Sequence, residues 1–323
     1  MKLLLVPDPA SPNGVDAFCR ELERRAAARG HSARIRPSFE AEPSVDAVFV
    51  NSLQPQALLR ALDGGVPVVA RLIDDLGGGE PASARARALA GRAARVLVPS
   101  RYLSEAALDW GLDPARVRVV PYAYDQIFAQ QIALVTMRAS RPNGFGLVTA
   151  APLDERSQTA LDTVFSAVSR LRLDCHLSII GDGPARAQLQ SRAAALGLGA
   201  HAHFLGELPH PKKMEYLRAA KAYIEPVGRQ GFPALALHAM SEGCPVVGVD
   251  EGVVPELVRD GENGLLYKPG DAAGLAEAVV TLASTQGLSL KLIAEGVRTV
   301  ERHNWDATAA ATFAAIEELA VRA

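Results

Sequence analysis

Short apolar runs recur along this chain, each too brief to cross a membrane, and most are followed by a stretch with helical periodicity. In the first part they fall at residues 3–6, 45–50, 66–70, 96–98 and 117–120. Their residues are apolar on consecutive positions instead of alternating, as expected of strands covered on both faces, and helices between such strands make a parallel sheet the simplest solution. The pattern predicts an α/β architecture. A polar and aromatic stretch at 122–131 and an Arg-, Pro- and Gly-containing stretch at 137–146 then break the alternation before it starts again. Strands are expected at 147–151 and 176–180, helices at 157–171 and 185–196, and shorter strands near His203, Ala222, Pro245 and Leu265.

This periodicity divides the chain into a Rossmann-like domain at 1–135, a linker at 136–145, a second Rossmann-like domain at 146–287 and a helical segment at 288–323. The last segment is interrupted at His303-Asn304-Trp305, with Trp305 as an apolar anchor for a return to the first domain. At 323 residues each domain is large enough to bury its own core. Two sheets in one chain place a cleft between the domains, and ligands of such sheets gather at the carboxyl ends of strands.

A formal charge of −2 lacks the basic footprint of a nucleic-acid binder. Three widely separated cysteines have no metal-like spacing and suit a reducing compartment, so a cytoplasmic location is expected. The opening apolar run stops at Pro7, too short for a signal peptide or a membrane span, while peripheral membrane contact stays open. No Ser/His/Asp context suggests acyl transfer, His201 and His203 lack a third metal ligand, and Gly77-Gly78-Gly79 is not followed by the Gly-Lys-Ser/Thr of a phosphate loop.

The chemistry concentrates at 181–271. Gly181-Asp182-Gly183-Pro184 follows an apolar strand, where glycine permits a tight turn into a helix. His203-Phe204-Leu205-Gly206 ends another strand. Gly231-Phe232-Pro233-Ala234-Leu235 runs straight into a helix, whose unpaired amides and positive end suit a diphosphate; Pro233 removes one donor, leaving Ala234 and Leu235.

In their order and spacing these blocks resemble the retaining GT-B glycosyltransferases, the branch with sucrose-phosphate synthase-like and bacterial mannosyl- and glucosyltransferases. Residues 12–16 with Arg29-Gly30-His31, Val98-Pro99-Ser100 and Val119-Val120-Pro121 carry the likeness into the first domain. The resemblance implies two Rossmann-like domains facing a central cleft, and a nucleotide diphosphate sugar as donor substrate, with no cofactor and no metal. It implies donor contacts at Gly14, Arg156, Gly181, Phe204, Ala234, Leu235, His238 and Glu256, and catalytic positions at Arg71, Asp74 and Gln230.

The chain departs from the family pattern at several of these positions. Gln230 and His238 stand where the family has glutamates, one for sugar hydroxyls and one for ribose. Gln230 keeps hydrogen bonding without the charge, and His238 could bind a hydroxyl in its neutral form, though its plain reading is an ordinary helical histidine instead of a catalytic base. Pro152 stands at the arginine of the diphosphate clamp, leaving Arg156 as an imperfect substitute for its lysine. Ile73 occupies the expected histidine position, so Asp74 and Arg71 are the nearby polar candidates, with a loop salt bridge or cap as their plain reading. The expected function is sugar transfer to a hydroxyl acceptor with retention. Its alternative is a noncatalytic GT-B protein that binds a glycan, a nucleotide or a catalytic partner.

Overall fold

A computed structural model describes residues 1–7, 17–36, 45–51, 55–72, 81–124, 145–171 and 173–320. The chain forms two compact units, Met1–Ala123 with His303–Ala323, and Tyr124–Arg302.

The first unit holds strands β1 (Lys2–Val6), β2 (Ser32–Ile35), β3 (Ala47–Val50), β4 (Val68–Arg71), β5 (Arg95–Val98) and β6 (Val117–Val119). They form one six-stranded sheet in the order β2-β1-β3-β4-β5-β6, and every pairing is parallel. Helices α1 (Ala17–Ala26), α2 (Pro55–Asp63), α3 (Pro81–Ala90) and α4 (Arg101–Asp109) follow strands, and α12 (Trp305–Ala320) closes the unit. Successive side chains of a strand point to opposite faces, so each apolar run feeds two cores. Leu4, Val6, Val48 and Val50 pack with Leu58, Leu89 and Leu103 of α2, α3 and α4. Leu3, Leu5 and Phe49 pack on the other face with Phe18 and Leu22 of α1 and Phe313 and Ile316 of α12. This double burial is why the runs do not alternate.

The second unit holds β7 (Phe145–Ala150), β8 (Cys175–Ile180), β9 (Ala202–Gly206), β10 (Ala222–Glu225), β11 (Val246–Val249) and β12 (Leu265–Tyr267). Their order is β12-β11-β10-β7-β8-β9, again wholly parallel. The intervening helices are α5 (Glu155–Val168), α6 (Arg186–Ala195), α7 (His210–Ala219), α8 (Ala234–Ser241), α9 (Val254–Leu257), α10 (Ala272–Ser284) and α11 (Leu288–Arg302). Asp154 caps α5 by accepting from the amides of Arg156 and Ser157 at 3.0 and 3.1 Å.

The helical break at 303–304 is real, but its two halves part company. Helix α11 stays with the second unit, Gly296 lying against Met240 of α8, and the chain joins the first unit at His303 instead of residue 288. There Trp305 meets the Phe18 ring edge-on at 5.6 Å. His303 Nδ1 lies 2.9 Å from the Tyr122 carbonyl oxygen, and the Thr308 hydroxyl donates to that of Pro121, also at 2.9 Å.

Candidate functional site

In the second unit the strand order reverses between β7 and β10. At such a switch point successive connections leave on opposite faces of the sheet and open a crevice beyond the strand ends. The turn after β7, the glycine turn after β8 and the loop after β10 therefore converge on one edge.

Gly181 takes φ +131°, a conformation that side chains disfavour, and a Cβ there would overlap the Ala151 carbonyl oxygen. Absence of a side chain lets the β8 exit lie against the β7 exit, bonded from Leu153 N to Asp182 O at 3.0 Å and from Ala185 N to Leu153 O at 2.8 Å. Asp182 then accepts from Arg186 Nη1 at 2.7 Å, and Arg186 Nη2 donates to the Phe204 carbonyl at 3.1 Å. Arg186 thus joins the Gly181 turn to the end of β9, a role the motif reading missed because it fell outside the short signatures. The Phe204 ring packs edge-on against Phe165 at 6.0 Å, so its side chain serves the core while its backbone lines the turn.

The loop after β10 starts from Glu225, a carboxyl buried to 3% exposure, which accepts from the Tyr223 hydroxyl at 3.2 Å. Burial pushes this carboxyl up to about 7, against the donor groups of Tyr223, Val227 and Gln230, which favour its charged form. Gln230 is half-buried, and its Nε2 donates to the Val227 carbonyl at 2.7 Å. The same loop is pinned to the one after β11, where Val253 N donates to Gly228 O at 3.0 Å and a Cβ on Gly228 would overlap the Glu251 carbonyl. Sequence reasoning passed over Glu225; its signal was an acid at the end of an apolar strand, directly before a proline.

At the α8 amino end Pro233 is the cap residue and supplies no side-chain bond. The Ala234 amide turns back onto the Phe232 carbonyl at 2.9 Å. Of the two amides expected to face an anion, Ala234 is therefore committed within the protein, which leaves Leu235. On the same helix His238 lies half-buried between the Tyr124 ring at 4.8 Å and the His210 ring at 5.1 Å. Its Nδ1 is buried without a hydrogen-bond partner. Burial, with the charges of His210 and Lys213, lowers its pKa to about 3, so the ring is neutral near pH 7. Nearby, Ser241 Oγ donates to the His238 carbonyl at 2.7 Å and lies 2.9 Å from the Tyr124 hydroxyl oxygen. Glu256 is exposed in the short helix α9. Glu242 is a structural group, 7% exposed and paired with Arg218 Nε at 2.8 Å.

Arg156 is placed differently from the other donor candidates. It is exposed and held by its own capping residue, with Nη2 and Nε 3.0 and 3.2 Å from Asp154 Oδ2. Burial opposes the charge on Asp154, but the Arg156 guanidinium and the Ser157 amide outweigh it and hold the carboxyl below its usual range. Arg156 lines a hollow of about 150 Å³ with Thr163, Pro226, Glu251, Tyr267 and Gly270, too small for a nucleotide and lined by none of Gly181, Phe204 or His238.

In the first unit Arg71 ends β4 and is 7% exposed. Its guanidinium lies 3.8 Å from the Phe18 ring centroid, and Nη1 donates to Asn51 Oδ1 at 3.1 Å. Burial raises the Tyr122 hydroxyl pKa, and the Arg71 charge offsets part of that rise. The candidates Gly14 and Asp74 lie outside the described residues. A third imidazole, His176, does accompany His201 and His203, with ring centroids 5.7 and 6.0 Å away. Among the described residues, however, no group of three or more His, Cys, Asp or Glu is arranged to hold a metal ion.

Comparison with known proteins finds likenesses to part of the sequence and to the fold. Residues 156–298 match the description "Glycosyl transferases group 1". The chain is 35% identical over 148 residues to the phosphatidyl-myo-inositol mannosyltransferase of Mycobacterium leprae, covering 46% of this chain and 39% of that protein. It is 29% identical over 213 residues to the D-inositol 3-phosphate glycosyltransferase of Acidothermus cellulolyticus, covering 62% and 47%. The chain thus spans less than half the length of these relatives. Among solved structures, Anabaena HepE in complex with UDP and glucose superposes with a TM-score of 0.74 at 18% identity, covering 98% of this chain and 99% of HepE. Sucrose-phosphate synthase from Thermosynechococcus elongatus gives 0.76 at 17% identity over the whole of both chains. The two parallel sheets with their flanking helices, together with these likenesses, give this chain the GT-B fold of two Rossmann-like domains.

Proposed function

We propose that this GT-B chain, related to the group 1 glycosyl transferases, moves a sugar from a nucleotide diphosphate donor to a hydroxyl acceptor with retention at the anomeric carbon. The observation that carries the reading is the convergence of the Gly181 turn, the Gln230 loop and the α8 amino end at the switch point of the second unit. UDP is the first nucleotide to test, because HepE was solved with it.

In the reaction implied by the resemblance, the acceptor oxygen bonds to the anomeric carbon as the bond to the diphosphate oxygen breaks. The acceptor proton passes to a phosphate oxygen of the departing nucleotide. Such a step requires orientation and stabilisation of the leaving group more than a protein nucleophile. Gln230 would hold sugar hydroxyls, the neutral ring of His238 a ribose hydroxyl, and the Leu235 amide a phosphate oxygen. Gly181 and the Phe204 backbone would border the nucleotide, with Glu256 at the rim. Arg71 and Asp74 are assigned to the acceptor side with the first domain, and Gly14 to its glycine loop. We assign the reaction to the cytoplasm; among the described residues no helix is long and apolar enough to cross a membrane.

A second reading, a noncatalytic protein that binds a nucleotide, a glycan or a catalytic partner, is favoured by one feature. The cation expected at the diphosphate, Arg156, is tied to Asp154. Calorimetry with UDP-, GDP- and ADP-sugars, together with product assays on inositol-bearing and saccharide acceptors, separates the two. Transfer establishes the enzyme; tight nucleotide binding without transfer, even with a protein partner or membrane supplied, establishes the binder. Failure to bind any nucleotide rejects both donor-site readings.

A further inference from the structure

The first unit gathers arginines that sugar transfer does not use. Strands β4, β5 and β6 are parallel neighbours, so the loops leading into them emerge side by side at the amino end of the sheet. Arg92 precedes β5, Arg95 is its first residue, and Arg116 stands directly before β6. With Leu62, Pro67 and Leu319 they line a hollow of about 500 Å³, a volume within the range of small-molecule sites. Among the described residues, none that lines it is acidic. Ligands of parallel sheets ordinarily gather at the opposite, carboxyl end.

The anions that accompany these arginines stand outside the lining. Arg92 Nη2 meets Asp63 Oδ1 at 3.1 Å and Arg116 Nε lies 3.5 Å from Asp113 Oδ2; all four side chains are exposed, where such pairs contribute little. Arg116 Nη1 also donates to the carbonyls of Gly91 and Ala93 at 3.2 and 3.4 Å. Arg95 is different, being only 3% exposed. On β5 it alternates onto the face of Leu97, which α12 covers. Its Nη1 donates to the Ala94 carbonyl at 3.0 Å and its Nη2 to Glu318 Oε2 at 3.2 Å. The same oxygen accepts from Arg118 Nη2 at 2.8 Å, so one carboxylate serves two guanidiniums. Arg95 Nε is buried without a hydrogen-bond partner. A buried cation with a shared anion and an unpaired N–H leaves a positive field that salt and water screen little at that depth.

We propose that this hollow is a binding site for a small soluble phosphate monoester with an apolar body. Three cations call for more than one negative charge, and a hollow of this size with aliphatic walls exceeds an inorganic anion. The exposed guanidiniums of Arg92 and Arg116 take the phosphate oxygens, to which their planar forks are matched. Leu62, Pro67 and Leu319 cover the body, and Arg95 adds charge from beneath. Because the hollow belongs to the first unit, the site stands whether or not the second unit binds a nucleotide sugar.

Calorimetry with phenyl phosphate tests this, beside inorganic phosphate, glycerol phosphate and benzyl alcohol, each with and without saturating UDP. Phenyl phosphate should bind about tenfold tighter than inorganic phosphate or glycerol phosphate, as burial of an apolar ring requires. UDP should leave that affinity unchanged, and benzyl alcohol should not bind. Arg92→Gln and Arg116→Gln replace exposed side chains, and urea unfolding checks that both variants fold. Each should weaken phenyl phosphate about tenfold, while Arg92→Lys recovers part of the loss. Asp63→Asn releases the Arg92 guanidinium and should tighten binding about twofold to threefold, which a purely structural arginine would not do. The proposal is overturned if phenyl phosphate does not bind at millimolar concentration, if the arginine variants bind it as the wild type does, or if UDP displaces it. Equal affinity for glycerol phosphate overturns the apolar body. Vesicles with and without phosphatidic acid form the last arm: attachment to the former, with no phenyl phosphate bound, overturns a soluble ligand.

Discussion

Two side chains of the second unit hold displaced protonation equilibria of opposite sign. His238 has a pKa lowered from 6.5 to about 3, so the unfolded chain binds its proton more readily than the folded one. Its contribution is complete above pH 6.5 and is lost as the pH falls towards 3. His238→Leu should therefore flatten the acid limb, losing on the order of 1 kcal/mol less than the wild type between pH 7 and pH 5, after allowing for partial exposure. Urea unfolding at the two pH values checks this; equal losses in both proteins would refute it. Glu225 runs the other way. Its carboxyl is raised from 4.5 to about 7, so the folded state holds the proton better, and stability falls as the pH rises through that interval. The shift corresponds to about 3 kcal/mol, which Glu225→Gln should remove from the difference between pH 5 and pH 8 in the same measurement. The substitutions at 230 and 238 were legible because they fall on motif positions. Glu225 was not, because the burial of a carboxyl at a strand end is set by tertiary packing that the local sequence does not report. Arg156 was read as a clamp cation, while its nearest anion, Asp154, stands two residues before it and claims it locally.

Strand and helix positions were legible wherever an apolar run is covered on both faces, since consecutive apolar residues leave little room for another structure. The connections were harder. The glycine turn after β8 was recognisable from Gly181 and Gly183, but not the reason for it, a close approach to the turn after β7. Gly181→Ala tests that reason directly: the added methyl overlaps the Ala151 carbonyl, and φ +131° is itself strained for a side chain. A loss of about 2–4 kcal/mol in urea unfolding is expected. A loss under ~1 kcal/mol would mean that the two turns separate at little cost. Likewise, the sequence placed Pro233 at the helix start and counted one missing donor, whereas the bond from the Ala234 amide to Phe232 depends on how the loop closes. That closure is set by backbone contact with the loop after β11, which no local pattern reports.

For the whole chain, the repeat of strand and helix was enough to read two parallel sheets, whereas the path of the last helices was not. Helix α11 is strongly amphipathic, whereas α12 is Ala-rich with a much weaker apolar stripe; neither pattern names a core, and which one each joins is decided by Gly296 against Met240 in one case and Trp305 against Phe18 in the other. The division matters for function, because the donor candidates Gly181, Phe204, Gln230, His238 and Glu256 belong to the second unit and Arg71 to the first. Arg71 is nearly buried, stacked on Phe18 and bonded to Asn51, so replacing it by an apolar chain leaves those partners to reorganise. Arg71→Met should destabilise the protein by about 1–3 kcal/mol, while UDP affinity, which the proposed donor site assigns to the second unit, should stay within about twofold. Urea unfolding and calorimetry on the same preparation decide the matter. Unchanged stability with a tenfold loss of UDP affinity would instead assign the Arg71 charge to the donor diphosphate, and with it a catalytic role drawn from both units.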